Sequence, residues 1–554
     1  MIRLARLPEK SRYDYVVVGS GSAGSVVAAR LAEDASSRVL LLEAGPSDEH
    51  IYIKMPAALG FPLMNDRFNW FYNSEPEPYL KNRIVHESRG RVLGGSSSIN
   101  GMNWVRGNPA DYDGWEARGL PGWSYAHVLP YFRKAETFAS GGDTYRGATG
   151  PMRIERCEAK NPLYRAFLEA GVQAGHEYVE DHNAYRQEGV HITQRNVGRG
   201  LRWNTSRAYL HEGPVRPNLT VAAGVLVTRI GFDGRTATHV HARQDGRDIA
   251  IEVAGEVILA AGALNSPQLL LLSGVGPAAE LSTLGIPVVA DIPGVGAGLK
   301  DHVAAPVQYI ATKDVSAAKA LKLFGRAKLG LQWLLFKKGL GATNFFEVGG
   351  FIRTDPSYAI PNIQYEFVPM LGELQHGSVD LKNGFQYFLS LMRPTSSGRV
   401  WIDSADPARA PKFVFNFLKT EEDRQQMVAA VKETRRIIAQ QAWDEFRGEE
   451  VTPGPQVRTD EQILDFLLET AGTNYHPCCS ARMGTDDMSV VDVHGKVHGI
   501  ENLRVVDASI MPDIVSGNLN APVIMMAEKL ADDIRGRALP PEAAPFHRPS
   551  AQAA

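Results

Sequence analysis

The residues Tyr13-Asp14-Tyr15-Val16-Val17-Val18-Gly19-Ser20-Gly21-Ser22-Ala23-Gly24 constrain this chain more than any other stretch. A β-branched run stops at glycines, and an alanine-rich helix pattern follows to Glu33. A second apolar run, Val39-Leu40-Leu41-Leu42, ends in Glu43. That order predicts a βαβ unit with a dinucleotide fingerprint. Gly19 permits the tight turn, Gly21 lets backbone approach a pyrophosphate, and Gly24 lets the helix pack close to the strand. Ser20, Ser22 and Ala23 share this loop, where the helix N-terminus offers N–H groups to phosphate. Glu43, followed by Ala44, stands where an acid can bind ribose hydroxyls. Taken alone, the stretch leaves FAD, NAD(P) and a nucleotide-binding protein without catalysis all open.

The rest of the composition narrows the class. A chain of 554 residues can bury a large core and is expected to hold two domains. A net charge of −3 gives no global reason to expect nucleic acid. Cys157, Cys478 and Cys479 are the only cysteines, which makes neither a disulfide framework nor a repeated metal pattern, and no metal site is expected. The N-terminus shows no apolar signal region, and no run is long enough to span a bilayer. A cytoplasmic protein is expected.

Several later stretches read as cofactor-lining. In Arg89-Gly90-Arg91-Val92-Leu93-Gly94-Gly95-Ser96-Ser97-Ser98-Ile99-Asn100-Gly101-Met102, small residues let a flat ring or phosphate lie against backbone. Asn218 to Ile230, with Val225, is β-rich, as is His239 to Val253. Glu256 to Ala263 is a buried strand that ends in small residues around Ala261, before a helix opened by Ser266-Pro267. Leu503 to Val506 is a strand ending in Asp507-Ala508. Gly517 to Pro522 leads into a helix over Val523 to Arg535. Between about Asp301 and Phe417, strand-like segments suggest an antiparallel sheet. Lys319 to Lys338 carries six basic residues, no acid and many large apolar ones. It reads either as a basic amphipathic helix on a membrane surface or as a helix capping the second domain.

These segments, in this order, resemble the glucose–methanol–choline (GMC) oxidoreductases from about Asp14 to Ile534. The carrying motifs are the fingerprint, Gly94 to Asn100, Ala261 to Pro267, and the segments around His476 and Asn520. The phrases Ser74 to Pro78, Phe346 to Arg353 and Ser516 to Ala521 most resemble the family's choline-oxidising bacterial members. The resemblance implies an α/β fold (α+β overall). A Rossmann-like FAD-binding domain, residues 12–160, 201–300 and 497–537, stands beside a substrate domain built on an antiparallel sheet covered by helices, residues 161–200 and 301–496. A loose tail, 538–554, is expected after them.

The resemblance also implies FAD rather than NAD, and oxidation of a primary alcohol to its aldehyde, with choline favoured over an uncharged aryl or aliphatic alcohol. His476 is the expected base, because neutral imidazole can take a hydroxyl proton near neutral pH. Asn520 orients the substrate oxygen, since an amide cannot titrate. Asn100 to Met102 lie against the flavin, flanked by Ala508, Ala521 and Pro522. Glu347 is expected to face a substrate cation, with Phe345, Tyr365 and Trp70 as aromatic walls. The chain departs from family patterns in three places. Ile99 stands where some members bond flavin covalently, so FAD is expected to be noncovalent. Cys479 replaces a glycine and reads as a small buried residue or as half of a vicinal redox pair. Phe345 replaces a histidine of the choline enzymes. A quinone or respiratory-chain acceptor is expected in preference to oxygen.

Overall fold

The strand Lys10–Val18 is central to a seven-stranded sheet drawn from distant parts of the chain. It pairs in parallel with Val39–Glu43 on one side and Arg247–Leu259 on the other. Leu219–Ala223 extends the sheet beyond Val39–Glu43. Arg247–Leu259 carries Leu503–Val505 in parallel and Thr236–Gln244 in antiparallel, with Val225–Asp233 outside the latter. Val16, Val17, Leu40 and Leu41 are fully buried. Such runs are apolar at consecutive positions because helices cover both faces. Each burial contributes about 1.5–3 kcal/mol.

The helix Asn520–Ile534 packs against Gly24–Leu31 and against Tyr125–Ala135. One ion pair locks the two ends of the chain together. Arg30 Nε and Nη2 donate at 2.8 Å to the fully buried Glu528, which also accepts from Tyr209. The computed structural model describes residues 3–372, 374–375, 378–379 and 381–548, with backbone alone at 374–375 and 378–379.

The second seven-stranded sheet is antiparallel throughout. Its order is Arg447–Thr452, Val303–Ala311, Gly384–Leu391, Ile363–Val368, Val348–Ile352 and Gly189–Ile192, with Gly472–Thr473 also on Val303–Ala311. Alternation gives it two different faces. Val307, Tyr309, Tyr365, Phe367, Phe385 and Tyr387 pack into a core under the helices Pro162–Gln173 and Glu421–Ile438. Pro306, Glu366, Gln386 and Phe388 point the other way, toward the first sheet. The expected pair of architectures is present.

Among the described residues no helix is long and apolar enough to cross a membrane. Residues 539–547 lack regular structure but are held in place rather than loose. Leu539 N–H donates to the Tyr131 hydroxyl, Glu542 N–H to Ala126 O, and His547 N–H to Tyr185 O. Residues 549–554 lie outside the described residues.

Candidate active site

A cavity of about 1270 Å³ runs between the two sheets. Its narrow end is the glycine fingerprint. Gly19 adopts φ +95°, and a Cβ on Gly24 would lie 1.8 Å from Gly19 O, so the first helix starts in contact with the strand's end. Gly19, Gly21, Ser22, Ala23, Glu43 and Ala44 line this end. Glu43 is buried and accepts from Ser20 N–H (3.0 Å), Ser20 Oγ (2.7 Å) and Gly45 N–H (2.8 Å). Burial pushes its carboxyl up, against those bonds. Ser20 and Gly24 support this loop from behind and are off the cavity wall.

The middle of the cavity is walled by Arg91, Gly95, Ser96, Asn100, Gly101, Met102, Val225, Ala261 and Ala508. Arg91 lies over the Trp70 ring at 4.9 Å, and Trp70 reaches the wall too. Asp507 lines the cavity while clamping two elements. Its Oδ2 accepts from Gly262 N–H (2.8 Å) and Ser266 Oγ (2.5 Å), and its Oδ1 from Ser509 N–H and Oγ. Four of the expected positions sit elsewhere. Val92 packs among Ile53, Phe68 and Ile99. Gly94 forms the left-handed turn behind Gly95. Ala521 and Pro522 are inside the first turn of their helix and face the core, while Leu519 and Val523 reach the wall instead.

His476, at the wide end, and Asn520 both line the cavity but not together: Asn520 is bonded to Ser22 in the fingerprint loop, and the amide beside His476 is that of Asn518. Their surroundings fix how each is held. His302 Nε2 lies 3.0 Å from Val515 O, and a carbonyl only accepts, so Nε2 of His302 carries the proton. His302 Nδ1 is therefore a lone pair, and His476 Nδ1, 3.0 Å away, donates to it. His476 Nε2 is left unprotonated, the form a base needs, and accepts from Asn518 Nδ2 at 3.2 Å. Burial holds the His476 imidazole well below its usual range, with His302 and Arg89 adding to this, so it is neutral at pH 7. The His476 backbone N–H donates to Asp301 Oδ1 at 2.8 Å, and Arg89 donates to Tyr475 O, so the loop is tied on both sides. Asn520 Oδ1 accepts from Ser22 Oγ at 2.7 Å. Its Nδ2 is buried and has no partner among the described residues.

Two expected substrate residues are not at the wall. Glu347 accepts from Thr343 Oγ1 (2.5 Å) and Ala159 N–H (2.8 Å), and Arg195 lies 3.4 Å away. It is a structural carboxylate that shares Arg195 with Glu155, which is nearer at 2.9 Å. Tyr365 is on the core face of its strand, with Thr434 Oγ1 3.2 Å from its hydroxyl. Phe345 does line the cavity, in a left-handed backbone conformation (φ +64°), and Phe346 lies beside it. The acid that does reach this end is Glu366, one residue beyond Tyr365. Sequence reading missed Glu366, His302 and Asn518. The period-2 alternation of the strand Ile363–Val368 was the available signal for Glu366. Cys478 and Cys479 are buried thiols with sulfurs 3.3 Å apart, packed in the core of the first domain. That geometry matches the small buried residue of the two readings.

The donor set fits FAD. Glycine backbone lines the fingerprint end, small residues form a flat middle wall, and an unprotonated imidazole stands at the far end.

Comparisons with known proteins agree with this geometry. Two family models described as GMC oxidoreductase match residues 13–304 and 394–527. The oxygen-dependent choline dehydrogenase of Serratia proteamaculans strain 568 is 49% identical over 532 residues, covering 95% of this chain and 96% of that protein. The protein of the same name from Pseudomonas putida KT2440 is 48% identical over 532 residues, covering 95% and 94%. Among solved structures, pyridoxine 4-oxidase from Mesorbium loti superposes with a TM-score of 0.85 at 31% identity, covering 95% of this chain and 99% of that one. Formate oxidase of Aspergillus oryzae superposes with a TM-score of 0.89 at 27% identity, covering 96% and 99%.

Proposed function

Since the chain belongs to the GMC oxidoreductase family, we propose that it is an FAD-dependent dehydrogenase that oxidises a primary alcohol to its aldehyde, with choline to betaine aldehyde favoured. One observation carries the chemistry: His476, its Nε2 unprotonated, lines the cavity beside the Asn518 amide. Choline is supported by relatives at 48–49% identity over nearly the whole chain.

In this mechanism Asn518 Nδ2, 3.2 Å from His476 Nε2, donates to the substrate oxygen. His476 Nε2 takes the hydroxyl proton. The resulting imidazolium then steadies the alkoxide-like charge as the α-hydrogen leaves. Bound FAD supplies the hydride acceptor. Ile99, buried beside Val92 and Phe68, offers no nucleophile for a covalent flavin link, which supports noncovalent FAD. An anaerobic flavin-reduction screen across an alcohol panel tests the reading. Choline should reduce the flavin fastest; no reduction by any primary alcohol would end the proposal.

We also propose peripheral membrane contact through the helix Leu323–Phe336, at the cytoplasmic face. Leu323 is 79% exposed, Phe324 88%, Leu335 65% and Phe336 66%, whereas only Leu329 and Trp333 are buried. The segment 319–338 that carries these exposed apolar residues holds six basic residues and no acid, with Lys319 paired to Asp314, and is complementary to an anionic lipid surface. Leu321, Arg326, Leu329 and Gly330 line the cavity mouth, which supports a lipid-dissolved quinone as electron acceptor. The relatives' name favours oxygen instead. Salt-sensitive co-sedimentation with anionic vesicles, lost on Phe324→Ser with Leu335→Ser, is expected. Turnover on oxygen as fast as on a quinone would remove the acceptor proposal.

A further inference from the structure

Glu347 is off the cavity wall and shares Arg195 with Glu155, so a cationic substrate needs another anion. Several buried glutamates stand beside arginine, as Glu136 does with Arg106 and Arg146 and Glu528 with Arg30, whereas Glu43 and Glu77 are held by neutral donors alone. Glu366 belongs to the second group and lies at the catalytic end of the cavity. It is 8% exposed. Its Oε1 accepts from Asn103 Nδ2 at 2.7 Å and Asn518 Nδ2 at 3.2 Å, both neutral amides. Among the described residues no cation pairs with it. A buried carboxylate without a counter-charge is costly, and the cost falls when a cation arrives.

Its neighbours suit an onium group. Phe388 stands directly opposite Glu366 on the adjacent strand, so one flank is aromatic. Phe346 and Tyr475 line the same end. The distance to the base also fits. Asn518 Nδ2 makes a 3.2 Å bond to Glu366 Oε1 and another to His476 Nε2, so the two acceptors are no farther apart than twice that length. In a two-carbon amino alcohol the nitrogen and oxygen are roughly 3–4 Å apart. A hydroxyl at His476 therefore leaves the cationic end within contact of Glu366.

We propose that Glu366, rather than Glu347, is the anion that selects a cationic alcohol, holding the substrate's quaternary ammonium against Phe388 while its hydroxyl meets His476. This rests on the alcohol-oxidation reading above. It assigns substrate charge selection to the strand Ile363–Val368, where Tyr365 serves the core and Glu366 the pocket.

The test compares choline with its neutral isostere 3,3-dimethylbutan-1-ol in anaerobic reduction of the holoenzyme, together with calorimetric binding of tetramethylammonium, which cannot be oxidised. The native protein should prefer choline and bind tetramethylammonium. In Glu366→Gln both the preference and the tetramethylammonium affinity should fall by at least about tenfold, with the isostere's own rate little changed. Glu366→Asp, with its FAD content measured, should keep most of the preference. Glu347→Gln should retain the choline-to-isostere ratio of the native protein. An unchanged ratio in Glu366→Gln, or collapse of the ratio in Glu347→Gln, overturns the proposal. If neither alcohol reduces the flavin, the oxidation reading fails, while tetramethylammonium binding still decides the role of Glu366.

Discussion

Nδ1 of His302 lies 3.0 Å from Nδ1 of His476, with one proton between the two rings. Because His302 Nε2 is committed to Val515 O, the shared proton belongs to His476, and the base is held in its active tautomer before any substrate arrives. His302→Leu removes the acceptor and frees the His476 ring to take the wrong tautomer. Flavin reduction by choline should slow about 10- to 100-fold at unchanged FAD content. Stability should fall by about 1–3 kcal/mol, because buried polar groups lose partners. Rapid-reaction reduction at the native rate would show that the tautomer does not depend on His302.

In the proposed mechanism Asn518 Nδ2, 3.2 Å from His476 Nε2, is the donor to the substrate oxygen. Asn518→Ala should lower the limiting reduction rate about 100-fold, the usual effect of losing one directed donor. Asn520→Ala, whose side chain bonds Ser22 in the fingerprint loop, should cost less than about tenfold. Stopped-flow reduction distinguishes them, and a larger effect at Asn520 than at Asn518 would reverse the assignment.

The acid limb of the rate profile follows from the same geometry. The groups facing His476 are His302, the Arg89 guanidinium and, through Asn518, Glu366, while Asp301 binds its backbone. Burial, then His302 and Arg89, hold its imidazole well below 6.5. The competent form is neutral, so activity should stay flat down through pH 6.5 and fall only as pH drops through the lowered value. A profile of kcat/KM against pH with an acid limb at or above 6.5 would contradict this placement.

Much of this was legible in the residues because local chemistry set it. Gly19 and Gly21 of the fingerprint, the acid at Glu43 and Ala261 after the strand Arg247–Leu259 all line the cavity. His476 lines it too, as does Asn520, although Asn520 is bonded to Ser22 and not placed beside His476. What was not legible depended on which way a strand faced. Glu347 and Glu366 are both glutamates in apolar surroundings, and only the register of Val348–Ile352 against Ile363–Val368 shows which of them reaches the cavity. Arg195, which pairs with Glu347, lies 152 residues away, and no local signal joins them. The same holds for His302 and His476, 174 residues apart in sequence and joined by one proton.

The central claim is that His476 is the base of an FAD-dependent alcohol oxidation. His476→Ala, reduced anaerobically with choline in a stopped-flow instrument, tests it most directly. The account predicts bound FAD with an unaltered spectrum and a reduction rate lower by about 10³-fold or more. A variant that keeps its FAD and reduces it at a near-native rate would contradict the account.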